Sequence, residues 1–203
     1  MPQVRILHGP PDFSSEKDGL GLDIEQAFDY TDRAVIPQIR PEVSLFVPPN
    51  RPAPGIYLYE GPRLVAAQFL SALCPALGLG LRIYWIDGSN GFDAHGASYA
   101  ARVLGFSPKE LLARVSVARP FNLYQLETMV CRKLPARWSG EPVVLSDPFG
   151  LFYDEDVPWA EARAVFSRTL AGLKRLPAVW LVLSSGRTPP AGREGLVELL
   201  GKA

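Results

Sequence analysis

Five positions close apolar, strand-like runs and mark where chemistry would sit: Gly61, Asp87, Arg119, Asp147 and Ser184. In an open α/β sheet, ligands collect outside the carboxyl ends of the strands, so the residue types at those ends decide what the fold can do. Asp87 and Asp147 offer carboxylates that can ligate Mg²⁺, hold a turn or cap a helix. Asp87 leads into Ser89-Asn90-Gly91, which is Asx-turn composition. Arg119, three residues before Asn122, can pair with a nearby carboxylate and position its loop. Gly61-Pro62-Arg63 places one positive charge in a strand-to-helix turn.

Other chemistries find less support. His8 and His95 stand apart, with no cysteine at ligand spacing, so no metal site is expected. Cys74 and Cys131 lie in helix-like stretches without a neighbouring histidine, and Ser184-Ser185-Gly186 lacks a nucleophile-elbow setting. Both thiols are expected to be free and buried, in a reducing cytoplasm. The acidic run Asp154-Glu155-Asp156 precedes Pro158 and is expected to cap a helix N-terminus. Arg132, Lys133 and Arg137 gather beside Trp138, and Arg187 with Arg193 forms a second basic region. Either can touch a phosphate backbone, or simply solvate helix ends.

Regular elements must hold these residues in place. From Gly55 onward strand and helix patterns alternate: strands over 55–59, 81–87, 115–119, 142–147 and 179–184, and helices over 64–76, 94–104, 108–114, 122–134 and 158–175. Gly105 is a left-handed stop, Ser107-Pro108-Lys109-Glu110 a capping box, and Asn122 to Gln125 a similar start. Runs such as Val143-Val144-Leu145, apolar on both faces, suit central parallel strands. The spacing therefore predicts an α/β fold, a mostly parallel sheet with helices on both faces. Prolines crowd into residues 1–54, which read as an arm or irregular cap, with short strands at 4–7 and 43–47 and helical turns at 24–30. The core is residues 55–203.

Composition sets outer limits. A chain of 203 residues, 47% apolar and 21% charged, can bury one core and is neither disordered nor fibrous. Twenty-one basic side chains balance twenty-one acidic ones, so total charge does not single out a nucleic acid or a membrane surface as partner. The apolar stretch 64–81 is interrupted by Gln68, Ser71 and Pro75, and no membrane span is expected.

The order of motifs over about residues 55–186 resembles the ATPase core of the RecA/RadA recombinase family. The resemblance rests on Tyr84-Trp85-Ile86-Asp87 followed by Gly91-Phe92. It continues through Ala100 to Leu112, with Gly105 ahead of Ser107-Pro108-Lys109-Glu110, and into Val115-Ser116-Val117-Ala118-Arg119-Pro120-Phe121-Asn122. By that resemblance Asp147 matches the Walker B acid, and Gly61, Pro62 and Arg63 open the phosphate loop. The loop then departs from the pattern. Ala66, Ala67 and Gln68 stand at the second glycine, lysine and hydroxyl positions, where phosphate and Mg²⁺ need backbone N–H groups, a cation and an oxygen. Ser89 stands at the catalytic glutamate, and Ser184-Ser185-Gly186 at the polar sensor. Losing the lysine and the glutamate removes on the order of several kcal/mol of barrier lowering.

The resemblance thus implies a RecA-like fold without hydrolysis, and an accessory or scaffold role in DNA recombination or repair. Its partners would be another protein, a RecA-like subunit or itself, with DNA as a further contact and no membrane. No cofactor is expected, and ATP with Mg²⁺ is disfavoured. The alternative is a nucleotide-binding ATPase with an unorthodox loop that uses Arg63 and Asp147.

Overall fold

Apolar residues on both faces let a strand sit inside a sheet, as in four of the five parallel strands this chain builds; the fifth, Val115–Ala118, has exposed residues and lies at the sheet edge. The five are β2 (Gly55–Gly61), β3 (Ile83–Asp87), β4 (Val115–Ala118), β5 (Val143–Ser146) and β6 (Ala178–Ser184), and β1 (Gln3–Ile6) joins β2 antiparallel. The computed structural model describes residues 3–6, 55–176, 178–185 and 188–201. The expected elements at 24–30 and 43–47, and Arg187, lie outside them. Sheet order is β1-β2-β6-β5-β3-β4, so β6 lies between β2 and β5. Register pairs Leu58 with Leu181, Leu145 with Leu181, and Ile86 with Leu145.

Two apolar layers cover the sheet. One gathers Trp85, Val144, Trp180 and Val182 against α1 (Val65–Gly78), α2 (Ala94–Val103) and α3 (Pro108–Leu112). The other gathers Ile86, Val143, Leu145 and Leu181 against the helices that follow β4. These are α4 (Leu123–Thr128), a π turn (Met129–Lys133), α5 (Leu134–Arg137), α6 (Phe149–Phe152), α7 (Trp159–Leu173) and α8 (Leu196–Gly201). Trp85 and Trp180 are fully buried, as their strand patterns require. Among the described residues no helix is long and apolar enough to cross a membrane.

Several expected boundaries hold for the expected reason. Ser107 Oγ accepts from Glu110 N, Asn122 Oδ1 accepts from Gln125 N at 2.9 Å, and Gly105 sits at φ +76°. Others shift. The first helix runs past Ala76 to Gly78 because Leu73, Cys74 and Leu77 keep burying the same stripe beyond Pro75. The third stops at Leu112, and the Arg114 guanidinium caps the last carbonyls of α1 at Leu77 and Gly78. The helix expected over 122–134 widens into the π turn just before Pro135. That proline has no N–H to give the Cys131 carbonyl, and its ring crowds it.

The acidic run does not cap α7. Asp154 instead accepts from Asp156 N at 3.1 Å, closing its own turn, and Pro158 occupies the cap position without a side-chain bond. Cys74 is buried and free, whereas Cys131 is only half-buried.

Candidate functional site

Connections leave β2 and β3 toward the α1–α3 face, while those from β4 and β5 return across the other face. The strand ends where direction reverses, β2 beside β6 and β5 beside β3, are where such a sheet opens a crevice. Gly61, Asp87, Asp147 and Ser184 all lie there.

Asp87 is buried, and both its oxygens are engaged. Oδ1 accepts from Gly91 N at 2.9 Å, Ser89 N at 3.4 Å and Ser146 Oγ at 3.3 Å, and Oδ2 accepts from Phe92 N at 3.1 Å. Arg119 Nε donates to Oδ2 at 3.2 Å. The expected turn and the expected ion pair therefore share one carboxylate. Ser146 in turn accepts from Trp85 Nε1 at 3.1 Å, so a buried hydroxyl is satisfied on both sides.

Asp147 is held in a second network. Its backbone is left-handed at φ +44°, uncommon for a non-glycine residue, and its N–H donates to Val182 O at 2.9 Å. Oδ1 accepts from Ser184 N at 2.6 Å, and Oδ2 from Ser184 Oγ at 2.6 Å and Ser89 Oγ at 3.3 Å. Ser185 N donates to Gly61 O at 2.6 Å, which ties the end of β2 to the same knot. A Cβ on Gly88 would lie 2.8 Å from the Asp147 carbonyl and 2.9 Å from Pro148 Cα, so only glycine lets β3 and β5 close this tightly.

This edge departs from a phosphate-wrapping edge in its loop and in the partners of Asp147. Asp147 Oδ1 already accepts one protein hydrogen bond and Oδ2 two, so protein donors compete with a cation there. Only Pro62, Arg63 and Leu64 separate β2 from α1, and the Val65 N–H is turned back onto Pro62 O at 2.8 Å. A loop that wraps phosphates needs a longer run of free N–H groups. Gln68, at the hydroxyl position, has its amide oxygen buried without a hydrogen-bond partner. Arg63 is exposed and makes no ion pair among the described residues.

The remaining expected residues separate. Asn122 caps α4, with Gln125 Oε1 reaching back to Phe121 N at 2.8 Å, and so serves the helix. Arg132, Lys133 and Arg137 are exposed on the π turn and α5, which lead into the amino end of β5, across the sheet from Asp87 and Asp147. Arg193 does not extend a basic surface. It is buried, donates to Phe152 O at 3.1 Å and Val157 O at 2.6 Å, and lies 5.7 Å over the Trp159 ring.

Sequence reasoning missed Ser146 and Ser89 as partners of the two carboxylates. A hydroxyl inside the apolar run Val143-Val144-Leu145-Ser146 was the available signal, since a buried polar group must find a partner. Among the described residues no three of His, Cys, Asp and Glu converge as metal ligands. No protein-family model matches the sequence, and no curated protein matches it.

Proposed function

We propose that the chain is a RecA-like domain that acts without hydrolysing nucleotide, as an accessory or scaffold in DNA recombination or repair. The observation that carries the non-catalytic part is the Asp147 network: Ser184 and Ser89 donate to the carboxylate that a Walker-type site would present to Mg²⁺. The recombination setting rests on the motif order from Tyr84 to Asn122, and the parallel sheet with helices on both faces accommodates it. Its partner is another protein, either a RecA-like subunit or a second copy, with DNA as a further contact. The free thiols Cys74 and Cys131 favour work in the cytoplasm.

The test is titration calorimetry of the full chain with ATP and Mg²⁺, beside a phosphate-release assay with and without single-stranded DNA. Silence in both is expected. Mg²⁺-dependent binding or turnover would overturn the reading in favour of an unorthodox ATPase, for which the exposed Arg63 beside the crevice is the specific argument.

A further inference from the structure

The charges of this chain sum to zero, yet among the described residues five cations gather at one place in the fold. Parallel strands gather every connection that enters a strand at one edge of the sheet. At that amino edge Arg82 precedes β3, Arg137 precedes β5 and Arg175 precedes β6, with Arg132 and Lys133 on the adjoining π turn. All five are exposed, and none makes an ion pair among the described residues.

The strands they serve, β3, β5 and β6, are immediate neighbours in the sheet, about 4.8 Å apart from one to the next. Tyr84, the second residue of β3, donates its hydroxyl to Arg137 O at 3.2 Å, tying the loops before β3 and β5 together. Cys131 Sγ donates to Arg168 O at 3.5 Å and a Cβ on Gly172 would lie 2.8 Å from the same sulfur, so the π turn and α7 pack side by side, with Glu127 held by Arg168. Glu141, the acid nearest along the chain, turns its Oε2 onto Ser139 N at 3.0 Å.

We propose that this amino edge binds the phosphate backbone of a nucleic acid. Four of the five cations are arginines, whose planar forks suit phosphate oxygens, and they stand on the connections into three neighbouring strands. An extended row of positive charge matches a polymer of regularly spaced negative charge. A protein partner, by contrast, seeks apolar anchors at its contact. Of the most exposed large apolar side chains, Phe121 at 85% and Leu64 at 62% lie at the opposite edge, and Leu79 at 59% is the one that stands at the amino edge, three residues before Arg82. The proposal deepens the role inferred above by naming its nucleic-acid surface, and it rests on that reading for the choice of DNA.

The experiment is fluorescence anisotropy of a labelled oligo-dT titrated with the full chain between about 50 and 200 mM salt. The expected result is salt-sensitive binding with a log-log slope near −3.5, from about −0.7 for each of five phosphates. Arg137→Glu should weaken binding at least fivefold and flatten the slope by about 0.7. Arg163→Glu makes the same change in net charge on exposed α7 and should leave binding unchanged. No binding by the unmodified chain, or equal loss in both variants, overturns the proposal. Polyglutamate competing as well as oligo-dT overturns it in favour of an acidic protein surface. ATP turnover would sink the accessory reading while leaving this surface standing, so the two failures are told apart.

Discussion

The two edges of the sheet use polar residues in opposite ways. At the carboxyl edge Asp87 and Asp147 are satisfied by Ser146, Ser89, Ser184, Arg119 and backbone N–H groups. At the amino edge Arg82, Arg132, Lys133, Arg137 and Arg175 face outward. Where an α/β domain ordinarily takes its ligand, this one has turned its side chains on one another. The usually idle edge is the one where five cations stand without an ion pair among the described residues. Neutral total charge conceals this, because interaction depends on where charges stand more than on their sum.

That contrast can be broken most forcefully at Asp87. Asp87→Ala orphans three backbone N–H groups, the Ser146 hydroxyl and Arg119, and is expected to cost about 3 kcal/mol in urea unfolding. A loss below about 1 kcal/mol would mean that the carboxyl edge is not interlocked. Gly88→Ala drives a methyl group into the Asp147 and Pro148 backbone and should cost about 2 kcal/mol by the same measurement. Asn122→Ala removes a cap and should cost about 1 kcal/mol. The amino edge should behave differently. Replacing Arg132, Lys133 and Arg137 together by Ala should change stability by no more than about 0.5 kcal/mol, since these side chains hold nothing in place. A large loss there would erase the distinction between the edges.

The smallest effect sharpens the contrast through the two thiols. Burial pushes Cys74 from the ordinary 9.0 up to about 12, so in the native protein at pH 8 it should resist alkylation. The folded state thus holds a proton that the unfolded chain releases. Its contribution to stability is full below about pH 9 and is lost as pH rises toward about 12. Cys131 is also raised, by burial first and then by Glu127, with Arg175, Arg168 and Arg132 opposing. It should alkylate slowly, and more slowly still once oligo-dT covers the neighbouring cations. An unchanged rate with oligo-dT bound would place the nucleic acid elsewhere.

Much of the scaffold was legible because central parallel strands must be apolar on both faces, and Val143-Val144-Leu145 and Val179 to Leu183 are short, valine-rich runs just after a proline, as such strands are. Caps at Ser107 and Asn122 were legible because their hydrogen bonds are local. The Asp87 turn was legible for the same reason. What escaped depends on which strand ends become neighbours. Ser89 meets Asp147 only because β3 lies beside β5, and Ser184 does so only because β6 lies on its other side. Alternation of strand and helix leaves that order open. Arg193 looked like surface charge because its two carbonyl partners and the Trp159 ring are distant in sequence. The π turn escaped because Pro135 could equally have ended the helix.

The place of β6 carries a kinetic consequence. β2 and β5 bond to each other only through β6, which is made more than thirty residues after β5 and more than a hundred after β2. Until those residues leave the ribosome, the native pairings open to the growing chain are β1 with β2 and, separately, β5 with β3 and β4, and each set lacks the same closing strand. Such long-range closure makes folding slow and the nascent chain prone to aggregation, so this domain should depend on chaperones during synthesis more than a helical protein of its size does.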